Sequence, residues 1–176
     1  MIATRVGFAG GTRQQPVYAT PGDHRETVEV DYDPGRISYA QLLDAFWRSH
    51  PATVGGGPPR TREAVLFTDE SQRRAAVASR RAVARAAGEP VVDEVIPERR
   101  FWAAPSMHQK ANLQRMAPEL VRDLARRYGS LDTFLASPAA AWLNAYAGGF
   151  GGEQALRAAS AELGIPVDKL AHHFPR

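Results

Sequence analysis

The sequence predicts an α+β fold, with strands and helices mixed in the first half of the chain and helices alone in the second. Residues Val28–Tyr32 alternate apolar and polar side chains, which is the period of a half-buried strand. From Ser106 onward the pattern is mostly helical, and Gly129, Gly148-Gly149 and Gly164 separate the segments. The 176 residues, 44% of them hydrophobic, suffice for one compact domain with a buried core.

The first predicted helix has a clear start. Asp33-Pro-Gly35 is a turn signal that ends the preceding strand. Ser38, with Gln41 three residues later, forms a capping box in which each residue satisfies a backbone amide of the other. The pattern therefore predicts a helix from Ser38 through Trp47.

Two further strands flank a second helix. Ala64–Phe67 is a short apolar run and predicts a buried strand. Asp69 opens a helix that runs to about Ala87, where a glycine and a proline follow. Val91–Ile96 predicts a third strand, which Pro97 ends because proline lacks the amide that a sheet needs.

The second half consists of short helices. We predict them near residues 106–116, 118–128, 131–136, 138–147, 153–163 and 167–173. Trp102 and Trp142 stand at apolar positions and are interpreted as core residues rather than cofactor contacts. The segment Gly55-Gly-Gly-Pro-Pro59 has the composition of a flexible loop.

The sequence contains no cysteine, which excludes disulfides, zinc-thiolate sites and a cysteine nucleophile within these 176 residues. The formal net charge is +3 and the pI about 9.6, and arginine supplies nearly all of the positive charge. The only lysines are Lys110 and Lys169. An excess of arginine and alanine is typical of genomic composition bias, which we favour over a polyanion-binding surface.

Other sites are not predicted. The second helix carries several arginines on more than one face without interleaved aromatics, which favours a solvated helix and no nucleic-acid partner. His172-His173 lacks a third ligand, so we predict no metal and no cofactor. No apolar run approaches the ~20 residues of a membrane span, and no secretory signal is recognised. We therefore expect a cytoplasmic protein without a membrane partner.

Motifs spread in order over residues 4–115 carry a family resemblance. They are Thr4-Arg-Val-Gly-Phe-Ala-Gly-Gly-Thr12, Gly22-Asp-His-Arg-Glu-Thr-Val-Glu-Val30, Tyr32-Asp-Pro34, Leu42-Leu-Asp-Ala-Phe-Trp47, Asp69-Glu-Ser-Gln-Arg-Arg74 and His108-Gln-Lys110. Taken together, they resemble the A-type peptide methionine sulfoxide reductases. The tail, including Ala145-Tyr-Ala-Gly-Gly-Phe-Gly151, is similar to a helical extension in one branch of that family.

The resemblance implies a ferredoxin-like reductase core that lacks its first strand and helix. It places a partial reductase-like domain at residues 1–115 and a helical C-terminal extension at residues 116–176. Because the missing strand lies inside the family's sheet, we expect unpaired strand edges that favour an oligomer or a partner chain supplying a strand. A misplaced start codon and a sheet rearranged around Val91–Ile96 are the two alternatives to such a partner.

The resemblance also implies a reaction. In the family, the cysteine of a Gly-Cys-Phe-Trp-Gly motif attacks the sulfur of a methionine S-sulfoxide and thereby returns it to methionine. These residues contain no such motif and no thiol, so we expect the chain to be inactive in that reaction. Methionine sulfoxide peptides or a small molecule remain expected ligands, whereas thioredoxin is not an expected partner without a cysteine.

The resemblance assigns candidate site residues. Glu26 matches the family's proton donor to the sulfoxide oxygen, although a solvated glutamate on a strand face is the competing interpretation. Phe8 and Met107 stand where tyrosines are usual, and both are candidate substrate contacts. His24 and His108 are also candidate pocket groups, although a structural or surface role is favoured for each.

Two other segments depart from the family pattern. Thr61-Arg-Glu-Ala64 replaces a Tyr-Arg-Ser-Ala motif, and Gly55-Gly-Gly-Pro-Pro59 replaces a loop that often bears an aspartate. Four functions remain open: a truncated reductase, a pseudoenzyme or binding module, a thiol-free enzyme that uses Glu26 as general acid or base, and an arginine-driven nucleic-acid binder. For the chain itself, the binding module ranks above the reductase.

Overall fold

A computed structural model describes residues 3–53 and 63–174 of the protein. The strands are β1 Ala3–Ala9, β2 Arg25–Asp31, β3 Ala64–Phe67, β4 Glu94–Pro97 and β5 Trp102–Ala103. The helices are α1 Tyr39–Arg48, α2 Glu70–Ala87, α3 Ala111–Met116, α4 Pro118–Arg127, α5 Leu131–Leu135, α6 Pro138–Ala147, α7 Gly152–Leu163 and α8 Val167–Ala171. A 3-10 helix at Ser106–His108 precedes α3.

The described strands form two sheets. One has three strands in the order β2-β1-β5, and the other pairs β3 with β4. Strand β1 runs antiparallel to β5, with Gly7 opposite Ala103 and Phe8 opposite Trp102. Strands β3 and β4 are parallel over four residue pairs, and α2 forms the crossover that a parallel pair requires.

The strand predictions were confirmed for β2 and β3 and shifted for β4. The third predicted strand, Val91–Ile96, begins later, at Glu94, and includes Pro97 opposite Phe67. Val92 donates its amide to Ala52 O at 3.0 Å instead of joining the sheet. The proline is tolerated because β4 belongs to a two-stranded sheet among the described residues and is therefore an edge strand.

Strands β1 and β5 were not predicted from the sequence. Gly7 in β1 allows the close approach of β5, because a Cβ at this position would lie 2.2 Å from Trp102 O. Strand β5 has only two residues, too few for any periodic signal. Trp102 is half-buried there, and the Arg100 guanidinium carbon lies 3.8 Å from its ring centroid. The prediction that Trp102 is a core residue was therefore wrong.

Both predicted helix starts in the first half were confirmed. Ser38 Oγ accepts from Gln41 N at 3.2 Å, and Gln41 Oε1 accepts from Ser38 N at 2.8 Å, which completes the capping box. Asp69 Oδ1 accepts from Gln72 N at 2.8 Å at the start of α2. That helix ends at Gly88, which adopts the left-handed conformation with φ of 73°.

The predicted helix at 106–116 is interrupted. Its first part is the 3-10 helix, and α3 begins only at Ala111. Between them Lys110 has φ of 49° and ψ of 46°, a left-handed conformation that breaks an α-helix. The remaining helices agree with the prediction to within two residues at their ends.

The chain divides into two compact units. The helical unit comprises Met1–Val6, Val28–Tyr32 and Ala104–Arg176, and the mixed unit comprises Gly7–Thr27 and Asp33–Ala103. The core of the helical unit is built largely from α3 to α8, and Trp142 packs against it as predicted. The core of the mixed unit is formed by Leu43, Trp47, Ala52, Val65, Ala76 and Val91.

The segment Gly55-Gly-Gly-Pro-Pro59 and the first two residues of Thr61-Arg-Glu-Ala64 lie outside the described residues. Within 3–53 and 63–174, none of the helices combines the length and apolar character required to cross a bilayer.

Candidate active site

Glu26 lies on β2, where its side chain is exposed. The Tyr18 side chain lies close enough to sense its charge. Burial raises the pKa of Tyr18, and the negative charge of Glu26 raises that pKa further, because both disfavour the phenolate. The charge of the Glu26 carboxylate therefore acts on the Tyr18 phenol within the mixed unit.

Phe8 forms the apolar side of the same group. Its side chain is buried, with 2% of its surface exposed, and Tyr18 packs edge-on against it with ring centroids 5.0 Å apart. An interplanar angle of 73° is the edge-to-face geometry that aromatic pairs prefer. Tyr18 thus packs against Phe8 and experiences the charge of Glu26, and the three residues constitute the candidate site.

The loop that carries Tyr18 is fixed by Asp23. Its carboxylate accepts from Thr12 N at 2.8 and 2.9 Å, from Thr12 Oγ1 at 2.9 Å and from Arg13 N at 3.2 Å. These hydrogen bonds to the ionised form lower the pKa of Asp23 to about 2. The two ends of the loop, near residues 12 and 23, are thereby held together.

His24 fixes the same loop from inside. Its imidazole is buried, its Nδ1 accepts from Gly11 N at 3.3 Å, and its Nε2–H donates to Arg13 O at 2.8 Å. Both ring nitrogens are therefore occupied by backbone groups, which is the structural role that the sequence favoured. A direct substrate contact by His24 stays a prediction.

The loop also requires glycine at position 11. A Cβ there would lie 2.6 Å from His24 N, closer than any side chain can pack. Arg25, the next residue after His24, donates through Nη2 to Glu94 Oε2 at 2.8 Å. Because Arg25 is in β2 and Glu94 is in β4, this ion pair ties the start of the Glu26 strand to the second sheet.

Met107 and His108 belong to the helical unit, whereas Phe8, His24 and Glu26 belong to the mixed unit. Met107 is 73% exposed in the 3-10 helix. His108 is half-buried and lines a cavity within the helical unit. Their assignment as substrate contacts stays a prediction.

The group around Tyr18 has a defined chemical capacity. A glutamic acid can donate a proton to an oxygen, a phenol can donate a hydrogen bond to the same oxygen, and an aromatic ring offers an apolar wall. Phe8 stands where the family usually has a tyrosine, and the ring of Tyr18, which comes from a different position in the chain, packs against it. The sequence reasoning missed Tyr18, since it lies in a loop without periodic or motif signal.

The chain is similar to known proteins of one family. A model of the peptide methionine sulfoxide reductase family matches residues 1–120. The chain belongs to that family. The chain is similar to a peptide methionine sulfoxide reductase of Drosophila melanogaster, with 35% identity over 170 residues that cover 94% of this chain and 66% of the fly protein. This alignment extends into the helical region after residue 120.

Other relatives give the same assignment. Peptide methionine sulfoxide reductase A5 of Oryza sativa is 36% identical over 84% of this chain and 59% of the plant protein. The MsrA protein of Nocardia farcinica is 38% identical over 62% of this chain and 68% of its own length. The chain spans 66%, 59% and 48% of the fly, rice and Arabidopsis thaliana relatives.

Solved structures support the fold. The chain is similar to methionine sulfoxide reductase A of Corynebacterium diphtheriae with a TM-score of 0.51 and 23% identity, over 69% of this chain and 66% of that one. Mxr1 of Saccharomyces cerevisiae gives a TM-score of 0.51 at 22% identity, over 60% of this chain and 63% of the yeast chain. The mixed helix and sheet architecture is therefore that of MsrA structures.

Proposed function

We propose that this chain binds methionine sulfoxide in peptides through Phe8, Tyr18 and Glu26, and that its own residues do not reduce the sulfoxide. The observation that carries the binding proposal is the position of Tyr18, which contacts the Phe8 ring and senses the Glu26 charge. The reductase family supplies the substrate class, since its members are named for methionine sulfoxide.

The three side chains match the parts of a sulfoxide. The sulfoxide oxygen is a strong acceptor, and the Tyr18 hydroxyl is a donor that suits it. The methyl group and the side-chain carbons of the ligand are apolar and suit the ring of Tyr18, which is 43% exposed and packs on the buried Phe8. Glu26 stands at the position that the family resemblance assigns to the proton donor for this oxygen.

Reduction needs a further component. Removing oxygen from sulfur requires a nucleophile that attacks the sulfur, and a thiolate performs that step in this family. No cysteine occurs among the 176 residues. We therefore propose recognition without turnover for this polypeptide, which makes it a binding module or pseudoenzyme with a reductase fold.

The proposal extends to the architecture. Residues 1–115 are the counterpart of the reductase domain without a match for the family's first strand and helix, and residues 116–176 are a helical extension. The family match over residues 1–120 supports a boundary near this position. We place the chain in the cytoplasm.

The test is a titration of the purified chain with an N-acetylated, C-amidated methionine S-sulfoxide, with the methionine counterpart as the reference ligand. We expect saturable binding of the sulfoxide that is at least several-fold tighter than that of methionine. Tyr18→Phe removes only the hydroxyl and should weaken sulfoxide binding by about tenfold, the value of one hydrogen bond. Tyr128→Phe makes the same chemical change in the helical unit and should leave binding unchanged.

Turnover is measured separately, with dithiothreitol as reductant and methionine as the quantified product. We expect no methionine above the level without protein. Dithiol-driven turnover by the pure chain would refute the proposal that it binds without reducing. Absence of saturable sulfoxide binding, or equal binding by wild type and Tyr18→Phe, would refute the assignment of the binding site.

A further inference from the structure

Lys110 is a buried lysine in the helical unit. Only 5% of its surface is exposed, whereas Lys169, the other lysine of the chain, is exposed. Its Nζ donates a hydrogen bond to Thr4 O at 2.6 Å. Since an ammonium carries three donors, two remain for other acceptors.

The ammonium has no anionic partner in the described part of the chain. The positive charge of Arg5 repels that of the Lys110 ammonium. Arg5 is itself paired with Glu29, and its Nη2 lies 3.8 Å from Asp31 Oδ2. Burial, and then the positive charge of Arg5, lower the pKa of Lys110 to about 8. A buried charge without a counter-ion is unfavourable. An anion that bound Lys110 would therefore offset part of the free energy that burial of the ammonium costs.

A cavity of about 370 Å³ gives access to this lysine. Its wall contains Lys110, His108, Asn112 and Asn144, and none of its lining residues is an aspartate or glutamate. All of the lining residues belong to the helical unit. The volume falls in the range of small-molecule sites. Because the wall carries the positive charge of Lys110 and no carboxylate, it favours an anion over a cation as occupant.

The two asparagines add hydrogen-bond donors to the wall. Asn144 Oδ1 accepts from Leu113 N at 3.1 Å, and Asn112 Oδ1 accepts from Arg115 Nη2 at 3.1 Å. Their oxygens are thus used by the protein, and among residues 3–53 and 63–174 no acceptor takes a hydrogen bond from their amide nitrogens. The free side-chain groups of these two asparagines are therefore donors.

Gln109 has a different role. Its Nε2 donates to Val6 O at 2.8 Å and to Ala104 O at 2.9 Å, and its Oε1 accepts from Val6 N at 2.9 Å. This amide is saturated by the backbone and is not available to a ligand. It holds the segment before Lys110 against β1 and thereby fixes the lysine at the wall.

We propose that this cavity binds a small organic carboxylate, whose oxygens accept from Lys110 Nζ and from the amide nitrogens of Asn112 and Asn144. The apolar part of the ligand would lie against Val6, Val28, Ala141 and Ala145, which complete the wall. The carboxylate supplies the counter-charge that Lys110 lacks in the described part of the chain. This site shares no residue with the group formed by Phe8, Tyr18 and Glu26.

The test exploits the two lysines of the chain. In a protein labelled with ¹³C only at lysine, the Lys110 and Lys169 Cε resonances are followed while propionate is added at constant ionic strength. We expect the Lys110 resonance to move saturably and the Lys169 resonance to stay. Propionamide, which has the same shape without the charge, should move neither.

The affinity should also follow the charge of Lys110. Because the carboxylate binds the ammonium, affinity should fall by about tenfold between pH 7 and pH 9 as a group with a pKa of about 8 loses its proton. Arg5 is the charged side chain that acts on Lys110, and His108 is the other titratable residue in the wall. Propionate should raise the pKa of Lys110 in the same experiment.

Two variants complete the test, with thermal stabilisation by propionate as the readout. Lys110→Met should abolish it. Asn144→Asp keeps the acceptor for Leu113 N and adds a fixed carboxylate, so it should also abolish propionate binding while the fold is retained. Lys169→Met should behave as wild type. Equal movement of both lysine resonances, a response to propionamide, or saturable propionate binding by Lys110→Met would each overturn the proposal.

Discussion

His50 Nε2 lies 2.7 Å from Asp93 Oδ2, and only 3% of the Asp93 surface is exposed. The other ring nitrogen, Nδ1, is 3.0 Å from Ser49 Oγ at the end of α1. Asp93 directly precedes β4, so this pair joins the end of the first helix to the start of a strand more than forty residues later.

Replacing His50 by Ala should destabilise the protein strongly. The change leaves the Asp93 carboxylate buried without its partner, and such an uncompensated charge costs about 3 kcal/mol. Asp93→Asn keeps a hydrogen-bonding group at the same place and should cost about 1 kcal/mol. Urea unfolding of both variants and of Ser49→Ala, which removes only the outer hydroxyl, provides the measurement. Equal losses in all three would contradict a special role for the buried carboxylate.

The ion pair between Arg25 and Glu94 should contribute more than an ion pair on the surface. The side chain of Arg25 is 10% exposed, so Glu94→Gln leaves a largely buried guanidinium with a weakened partner and should lower the free energy of unfolding by about 2 kcal/mol. Arg73, which pairs with Glu70 on exposed α2, is the control. Arg73→Gln should change stability by no more than about 0.5 kcal/mol.

Asp23 should make stability fall in acid. Its pKa is about 2 in the folded protein against 3.8 for a free aspartate, so its contribution is complete above pH 3.8 and is lost as pH falls through 2. Asp23→Asn should lose this dependence, because an amide does not titrate. Comparison of unfolding free energies of wild type and variant from pH 5 down to the acid limit tests this. A constant difference between them over the whole range would show that Asp23 does not act through its charge.

The Tyr18 titration reports on the candidate active site directly. The negative charge of Glu26 helps to hold the pKa of Tyr18 above 10.0, so Glu26→Gln should lower that pKa. Ultraviolet difference spectra of phenolate formation, with Tyr18→Phe used to identify the signal, give the measurement. Glu119→Gln, a change of another exposed glutamate on α4, should leave the Tyr18 titration unchanged. If Glu26→Gln also left it unchanged, the two side chains would not be neighbours.

Local signals determined which parts of the fold could be predicted. The start of α1 was predictable because Ser38 and Gln41 satisfy each other within one helical turn. Glu26 could be assigned as a candidate through a contiguous motif. Tyr18 could not, since its contact with Phe8 is made by a loop that Asp23 and His24 fold back. Its position depends on hydrogen bonds between residues ten or more apart.

The break at Lys110 had no local signal either. A left-handed conformation is unusual for lysine, and no propensity predicts it. The buried hydrogen bond from Lys110 Nζ to Thr4 O joins residues 106 positions apart and holds the side chain inside the helical unit. Tertiary contact therefore outweighs the helical pattern of residues 106–116, and it creates the cavity wall that composition alone could not indicate.

Lys110 should also make the stability of the free protein depend on pH in the alkaline range. Its pKa is about 8 in the folded state against 10.5 in the unfolded state, so the folded state loses this proton first, and its burial penalty disappears as pH rises from 8 to 10.5. After allowance for solvent screening, the free energy of unfolding should rise by roughly 2 kcal/mol across this range relative to Lys110→Met. Paired chemical denaturation curves of the two proteins at several pH values test the difference, and Lys169→Met should follow wild type. A difference between wild type and Lys110→Met that stays constant with pH would mean that the amine at position 110 titrates alike in both states and is not desolvated by the fold.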